Sequence, residues 1–199
     1  MAIGREAGRG ARPDRRVARS RRALKEALTD LILERGYEAV TVQDVIDRAD
    51  VGRSTFYAHF RDKDELLAEG IRDLLREAGS AAPPATRKTE WVLRFSAPMF
   101  EHIGRYVPAN GPGLATRHED SLHEHLEHAI AASVAESLRR AGGTEGIVCT
   151  ELLAEHVAAT FVRVLEWWIA GGTRRSASEA EAAFRALVLP ALRAALGER

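Results

Sequence analysis

Apolar residues recur at every third or fourth position along most of this chain, which is the spacing of one face of an α-helix. Leu24, Leu28 and Leu31 show this spacing first. We find no convincing alternation of apolar and polar residues of the kind that is typical of a half-buried strand. The spacing predicts an all-α fold, with helices over residues 20–35, 42–49, 53–60, 63–78, 88–106, 116–140, 150–170 and 178–196.

The second and third predicted helices are short and lie only a few residues apart. Thr41 and Asp44 fit a capping box before the second helix, and the segment Asp50–Gly52 tolerates a sharp turn. In the third helix Phe56 and Phe60 face inward, which leaves polar and cationic side chains outside. This arrangement is typical of a helix-turn-helix, a motif whose second helix enters the major groove of DNA. From the pattern alone, a helical bundle without a nucleic-acid role is the alternative.

Charge is unevenly distributed, although 29 basic and 29 acidic side chains give a net charge of zero. Residues 1–25 carry nine arginine and lysine side chains and only two acidic ones. A cationic segment of this kind binds a phosphate backbone by releasing counterions. Its other interpretation is a solvated tail. Residues 1–19 are predicted to form a basic, disordered arm.

A motif with fixed spacings runs through residues 36–67. It reads Gly-Tyr-x3-Thr-Val-x-Asp-Val from Gly36 and Thr-Phe-Tyr-x-His-Phe from Thr55, and it ends with Lys63 and a leucine pair. The segment from about Ser20 to Leu75 closely resembles the DNA-binding domain of the TetR family of bacterial regulators. The resemblance implies DNA-contacting positions at Thr41, Gly52, Arg53, Ser54, Thr55, Tyr57, His59 and Lys63.

The residue types at these positions fit contacts with DNA. Arg53 suits bidentate contacts to a guanine edge, and Ser54 and Thr55 are short enough to allow close approach. The expected phosphate-binding side chains are Thr41, Tyr57, His59 and Lys63.

Three residues depart from the family pattern. Asp50 replaces the usual turn glycine, Gly52 replaces a common capping serine, and Ser54 replaces a frequent glycine. Asp50 is compatible with a left-handed turn. The loss of a cap at Gly52 is expected to affect the affinity and sequence preference of DNA binding rather than the function itself.

The stretch 79–88 has the glycine, serine and proline content of a linker. We therefore divide the chain into the arm, a DNA-binding domain with its connecting helix at 20–79, and a helical domain at 80–199. Beyond Gly79 the resemblance is architectural only, and it implies a second domain that binds a small-molecule effector and forms a homodimer through its last two helices. Their predicted apolar surfaces consist of Leu152, Val157, Phe161, Val164, Leu165, Trp168, Phe184, Leu187, Val188, Ala191, Leu192 and Ala195.

A candidate effector pocket is formed by aromatic and apolar residues of the second domain. Ordinary core packing is the alternative for each of them, and no ligand class follows from the sequence. The candidate lining residues are Trp91, Phe95, Met99, Tyr106, Phe161 and Trp167, with His102 or Arg94 as polar anchors.

Four histidines at positions 118, 123, 125 and 128 do not match a metal-binding motif, so we expect a polar stripe and no metal or other cofactor. The lone Cys149 is expected to be a small buried apolar residue. We expect a cytoplasmic chain that is not an enzyme and has no membrane-spanning helix. The expected function is a TetR-type repressor that an effector releases from operator DNA. The alternatives are an enzyme that uses the histidine-rich segment and a DNA-binding protein without an effector.

Overall fold

The computed structural model describes residues 11–82, 84–106, 120–171 and 175–198, and all regular elements within these ranges are α-helical. The predicted all-α fold class is confirmed. The helices are α1 (Ala11–Arg35), α2 (Val42–Ala49), α3 (Arg53–Tyr57), α4 (Lys63–Ala81), α5 (Lys88–Leu93), α6 (Ser96–Tyr106), α7 (Asp120–Arg140), α8 (Thr150–Ala170) and α9 (Ala177–Leu196).

Helix α1 begins at Ala11, well before the predicted start at Ser20. The prediction of a disordered arm is therefore wrong for residues 11–19, while residues 1–10 lie outside the described part of the chain. Apolar spacing gave no sign of this extension because its side chains from Arg15 to Arg19 are exposed. Alanine and arginine have high helix propensity, so the packed part of α1 extends through them without a buried face.

Helices α1, α2 and α3 form a small bundle around an aromatic and aliphatic core. Phe56 and Phe60 are buried as predicted, with ring centroids 6.0 Å apart. The guanidinium of Arg21 lies 5.4 Å from the centroid of the Phe60 ring, which links α1 to the residues that follow α3. The other fully or almost fully buried side chains of this bundle are Leu24, Leu28, Leu31, Tyr37, Val40, Val45 and Leu66.

Two compact units make up the chain, Met1–Leu67 and Ala68–Arg199. The division lies within α4, earlier than the linker on which the predicted boundary was based. Asp62 accepts a 2.7 Å hydrogen bond from the Glu65 amide before α4. The carboxylate of Glu65 accepts a 2.7 Å hydrogen bond from the amide of Arg61 instead of that of Asp62, so Asp62 and Glu65 form only half of a capping box.

The segment from Lys88 to Tyr106 is two helices rather than the single helix that we predicted. The break falls at Arg94 and Phe95, and Pro98 lies in the first turn of α6. Proline lacks an amide hydrogen, so within a continuous helix it would leave the carbonyl of residue 94 without a partner. In the first turn of a new helix that missing hydrogen has no cost.

The second unit is built around a cluster of aromatic rings. Phe161 on α8 lies at its centre, with centroid distances of 4.7 Å to Phe100, 5.4 Å to Phe184 and 5.6 Å to Phe95. Helix α7 packs along α8, and α9 packs against α8 and α6. Near the C-terminal end, Glu198 accepts hydrogen bonds from the Lys88 amide and the Thr89 hydroxyl and thereby caps α5.

Cys149 is exposed, so the prediction of a buried thiol is wrong. It is the residue that precedes α8, at a position where the chain leaves a glycine-containing loop. A residue at such a helix end lacks the packed neighbours that an interior helical position would provide. None of the helices in the described ranges is both long and apolar enough to cross a membrane.

Candidate nucleic-acid interface

Helix α3 presents a polar face to solvent because its apolar residue is fully buried. Phe56 anchors the helix in the core, and Arg53, Ser54 and Tyr57 lie on the exposed side. The guanidinium of Arg53 lies 5.6 Å from the centroid of the Tyr57 ring, which is 49% exposed. Stacking uses the flat face of the guanidinium and leaves its N–H edge available for a base or a phosphate.

The turn before α3 has the backbone conformation expected from its sequence. Asp50 adopts a left-handed conformation, with φ 50° and ψ 50°. Gly52 is the N-cap residue of α3 and provides no side-chain cap. A Cβ atom at Gly52 would lie 3.7 Å from the Thr55 hydroxyl oxygen, so a serine fits there without a clash. The side-chain cap is therefore absent because the residue is glycine, and not because a longer side chain would clash.

The start of α2 is held by the predicted capping box, which is present in full. The Asp44 carboxylate accepts from the Thr41 amide at 2.8 Å and from the Thr41 hydroxyl at 2.5 Å. Arg35 lies 2.8 Å from the same carboxylate. Hydrogen bonding from Thr41 and then from Arg35 lowers the pKa of Asp44 to about 2. Helix geometry leaves the next two amides of α2 without intrahelical acceptors, so they are available to a phosphate.

Lys63 and His59 are only partly exposed. The Lys63 ammonium donates to the carbonyl oxygens of Tyr37 and Val40 at 3.0 and 3.1 Å. The ring of His59 lies against Phe60, with centroids 6.3 Å apart. The structure therefore places Thr41, Gly52, Arg53, Ser54 and Tyr57 at the surface, with Thr55, His59 and Lys63 more enclosed.

The helical extension of α1 adds cationic residues that the motif does not include. Arg15, Arg16 and Arg19 are exposed, and no described acidic side chain pairs with them. Together with Arg22 they recur at helical spacing, and we refer to these four residues as the arginine stripe. Testing arginine for the three-and-four spacing, as well as apolar residues, would have revealed it.

The predicted effector-binding residues differ widely in burial. Phe95, Met99 and Phe161 are buried in the core of the second unit. Trp91 and Trp167 are exposed and stack with Arg94 and Arg175, respectively. Helical spacing places residues on a common face but does not tell how deep each one lies.

His102 and Tyr106 complete the predicted pocket set. His102 is partly buried, and burial together with the nearby Arg105 lowers its pKa. Tyr106 is the last residue of α6, and its side chain lies outside the described part of the chain.

A groove of about 650 Å³ lies on α7 and α8 beside Leu187, and it contains none of the predicted pocket residues. Glu166 on α8 lies 3.1 Å from His123 on α7, which connects the two helices, and 2.7 Å from Arg163 on its own helix. His118 falls outside the described residues, and within these no group of three histidine, cysteine or acidic side chains is placed to hold a metal ion. The groove is lined by His123, Glu124, Glu127, His156, Ala159, Thr160, Val162, Arg163, Val164, Glu166 and Leu187.

Residues 24–69 match the family model for bacterial regulatory proteins of the tetR family. An uncharacterised HTH-type transcriptional regulator, YxbF of Bacillus subtilis, is 37% identical over 82 residues, which are 41% of this chain and 22% of that protein. The HTH-type transcriptional repressor DhaR of a Mycobacterium species is 37% identical over 76 residues, which are 34% of this chain and 38% of that protein. The chain thus spans well under half the length of these curated relatives.

Solved structures of regulators share the fold over most of the chain. A TetR transcriptional regulator from Streptococcus agalactiae superposes with a TM-score of 0.57 at 24% identity, over 88% of this chain and 97% of that one. The fatty acid degradation regulator FadR from Bacillus halodurans gives a TM-score of 0.57 at 16% identity, over 95% and 99%. Residues 24–69 therefore form a domain of the tetR family of bacterial regulatory proteins, and the chain has the helical fold of these solved regulators over most of its length.

Proposed function

We propose that this protein is a DNA-binding transcriptional regulator in the cytoplasm, a repressor that binds its operator as a homodimer and is released by a small-molecule effector. The observation that carries the DNA-binding part is the polar face of α3, where Arg53 and Tyr57 are exposed above the buried Phe56. The relatives YxbF and DhaR are named as regulators rather than enzymes, and DhaR is named a repressor.

The exposed apolar surface of the last two helices supports the homodimer, although it is smaller than predicted. Phe161, Phe184 and most other residues of the predicted surfaces are buried within the chain's own core. Leu152 on α8 and Leu187 on α9 remain 57% and 60% exposed. Exposed leucines on the two helices that form the family's four-helix interface favour pairing with a second copy.

The arginine stripe on α1 supports binding to the DNA backbone outside the bases that α3 reads. An α-helix rises 1.5 Å per residue, so Arg15 to Arg22 span roughly 10 Å. Arginines at this density neutralise phosphates without regard to sequence. We therefore assign base recognition to Arg53 and general electrostatic affinity to the stripe.

These two roles are separable by salt titration of operator binding. Arg53→Ala is expected to weaken specific binding by about 1 to 3 kcal/mol and to relax sequence preference. Joint replacement of Arg15, Arg16 and Arg19 by glutamine is expected to weaken binding to all DNA sequences by the same factor. For this triple variant, the slope of log affinity against log salt concentration should become shallower by about one unit for each phosphate that is no longer neutralised.

Gel shifts with operator and scrambled duplexes at several salt concentrations measure both effects. Equal behaviour of the two variants would contradict the division of roles.

The effector part of the proposal depends on α4, which begins in the first unit and ends in the second. A continuous helix of this kind carries a displacement from one end to the other. Release requires an effector that binds the two shapes of the dimer with different affinity, and the coupling must be reciprocal.

Reciprocity gives the test of the effector proposal. Apolar and cationic compounds are screened by quenching of tryptophan fluorescence, with and without operator DNA. A true effector is expected to lower operator affinity, and operator is expected to lower effector affinity by the same factor. A bound compound that leaves operator affinity unchanged, and whose own affinity operator leaves unchanged, would instead support a DNA-binding protein without an effector.

A further inference from the structure

The first residue of α4 reaches back to the loop between α1 and α2. The Lys63 ammonium donates to the carbonyls of Tyr37 and Val40, and it lies 4.2 Å from the centroid of the Tyr37 ring. Val40 is almost fully buried and directly precedes Thr41, the N-cap residue of α2. The lysine therefore holds both ends of a short loop whose end determines where α2 begins.

Asp64, the next residue of α4, also holds this loop, through its carboxylate. The Tyr37 hydroxyl donates a hydrogen bond to the Asp64 carboxylate. Burial, and then this hydrogen bond, raises the pKa of Tyr37, so the hydroxyl keeps its proton and remains a donor. Two adjacent side chains of α4 thus bind one loop through two carbonyls, an aromatic ring and a hydroxyl.

The Lys63 side chain is held by the protein's own backbone, unlike a lysine side chain that extends freely toward DNA. An ammonium has three hydrogens, and two of them are already donated to Tyr37 and Val40. Moving the ammonium fully onto a phosphate would leave these two carbonyls without their donor, and each broken hydrogen bond has a cost. The lysine is better placed to hold the loop than to act as an independent phosphate ligand.

We propose that Lys63 is a positioning residue that acts through Thr41. With Asp64 it fixes the conformation of the loop between α1 and α2. That loop in turn places the N-terminus of α2 where it contacts a DNA phosphate. This inference rests on the proposed DNA-binding function.

A double-mutant cycle with Lys63→Met and Thr41→Ala tests the proposal on the full-length protein. Lys63→Met alone is expected to lower operator affinity about 10-fold, on the scale of a broken charged hydrogen bond, with an unchanged salt slope. In the Thr41→Ala background the same change is expected to lower affinity less than about 3-fold, because both act on one phosphate interaction. Lys63→Arg, which can donate to both carbonyls, should restore most of the affinity. Lys88→Met, at an exposed position on α5, is the matched control.

Additive losses, together with a salt slope that falls by about one unit in Lys63→Met, would overturn the proposal and make Lys63 a phosphate ligand. Amide hydrogen exchange gives a second readout without DNA. Lys63→Met is expected to speed exchange in residues 36–44, and unchanged exchange there would also overturn the proposal. If wild-type protein binds no operator, the proposed function fails, whereas the exchange measurement still decides whether Lys63 positions the loop.

Discussion

Replacing Leu187 with aspartate is expected to give a folded monomer that binds operator DNA at least about 100-fold more weakly than the proposed wild-type dimer. Leu187 is 60% exposed, so a charge there leaves the chain's own core intact. In the dimer the same charge would be buried against a second copy without a partner. Loss of pairing removes binding to the second half-site, which otherwise occurs at a high effective concentration. Sedimentation and gel shifts on the same samples measure both consequences.

Ile147→Asp is the matched control for that experiment. Ile147 is a fully exposed aliphatic residue in the loop before α8 and belongs to neither α8 nor α9. The variant should remain dimeric and bind operator normally. A Leu187→Asp protein that is still dimeric at micromolar concentration would contradict the assignment of this face to the interface.

Truncating Phe161 to alanine is expected to lower the free energy of unfolding by about 3 to 5 kcal/mol. Phe161 has no exposed surface, and it contacts the rings of Phe95, Phe100 and Phe184. Removing the central ring leaves a cavity that helices fixed on three sides cannot close. A loss of this size is a large part of the stability of an ordinary domain.

Denaturant unfolding of wild type and variant at the same fixed protein concentration measures this loss. Trp167→Ala is the control, because Trp167 is 44% exposed and its ring stacks with the guanidinium of Arg175 at the surface. It should destabilise the protein by no more than about 1 kcal/mol. The opposite pattern, a stable Phe161→Ala protein with altered effector affinity, would restore the pocket role that the sequence predicted for this residue.

Local signals determined the elements that were predicted well. Helix α8 begins at Thr150 and ends at Ala170 as predicted, and the spacing that indicated it reflects a helix with a broad buried face. Thr41 and Asp44 identified the start of α2, since a capping box involves only residues three apart. Such features form within one helical turn, so they can be read without knowing the tertiary structure.

Features that depend on tertiary depth or on distant partners could not be predicted. Trp91 and Phe95 both belong to the apolar pattern, yet only Phe95 is buried. Lys63 looks like a free cation in sequence, but its acceptors are the carbonyls of Tyr37 and Val40, far from it along the chain. Backbone acceptors carry no sequence signature, because every residue has a carbonyl group.

Selection of binding sites from a pool of random DNA duplexes tests the central claim most directly. The wild-type chain is expected to enrich an inverted repeat, since the proposed two-fold dimer presents two copies of α3 to the major groove. Arg53→Ala should lose the preference at one base position in each half of that repeat. Enrichment of no sequence by the wild type, or of the same sequence by wild type and Arg53→Ala with equal strength, would contradict the assignment of α3 as the helix that reads DNA.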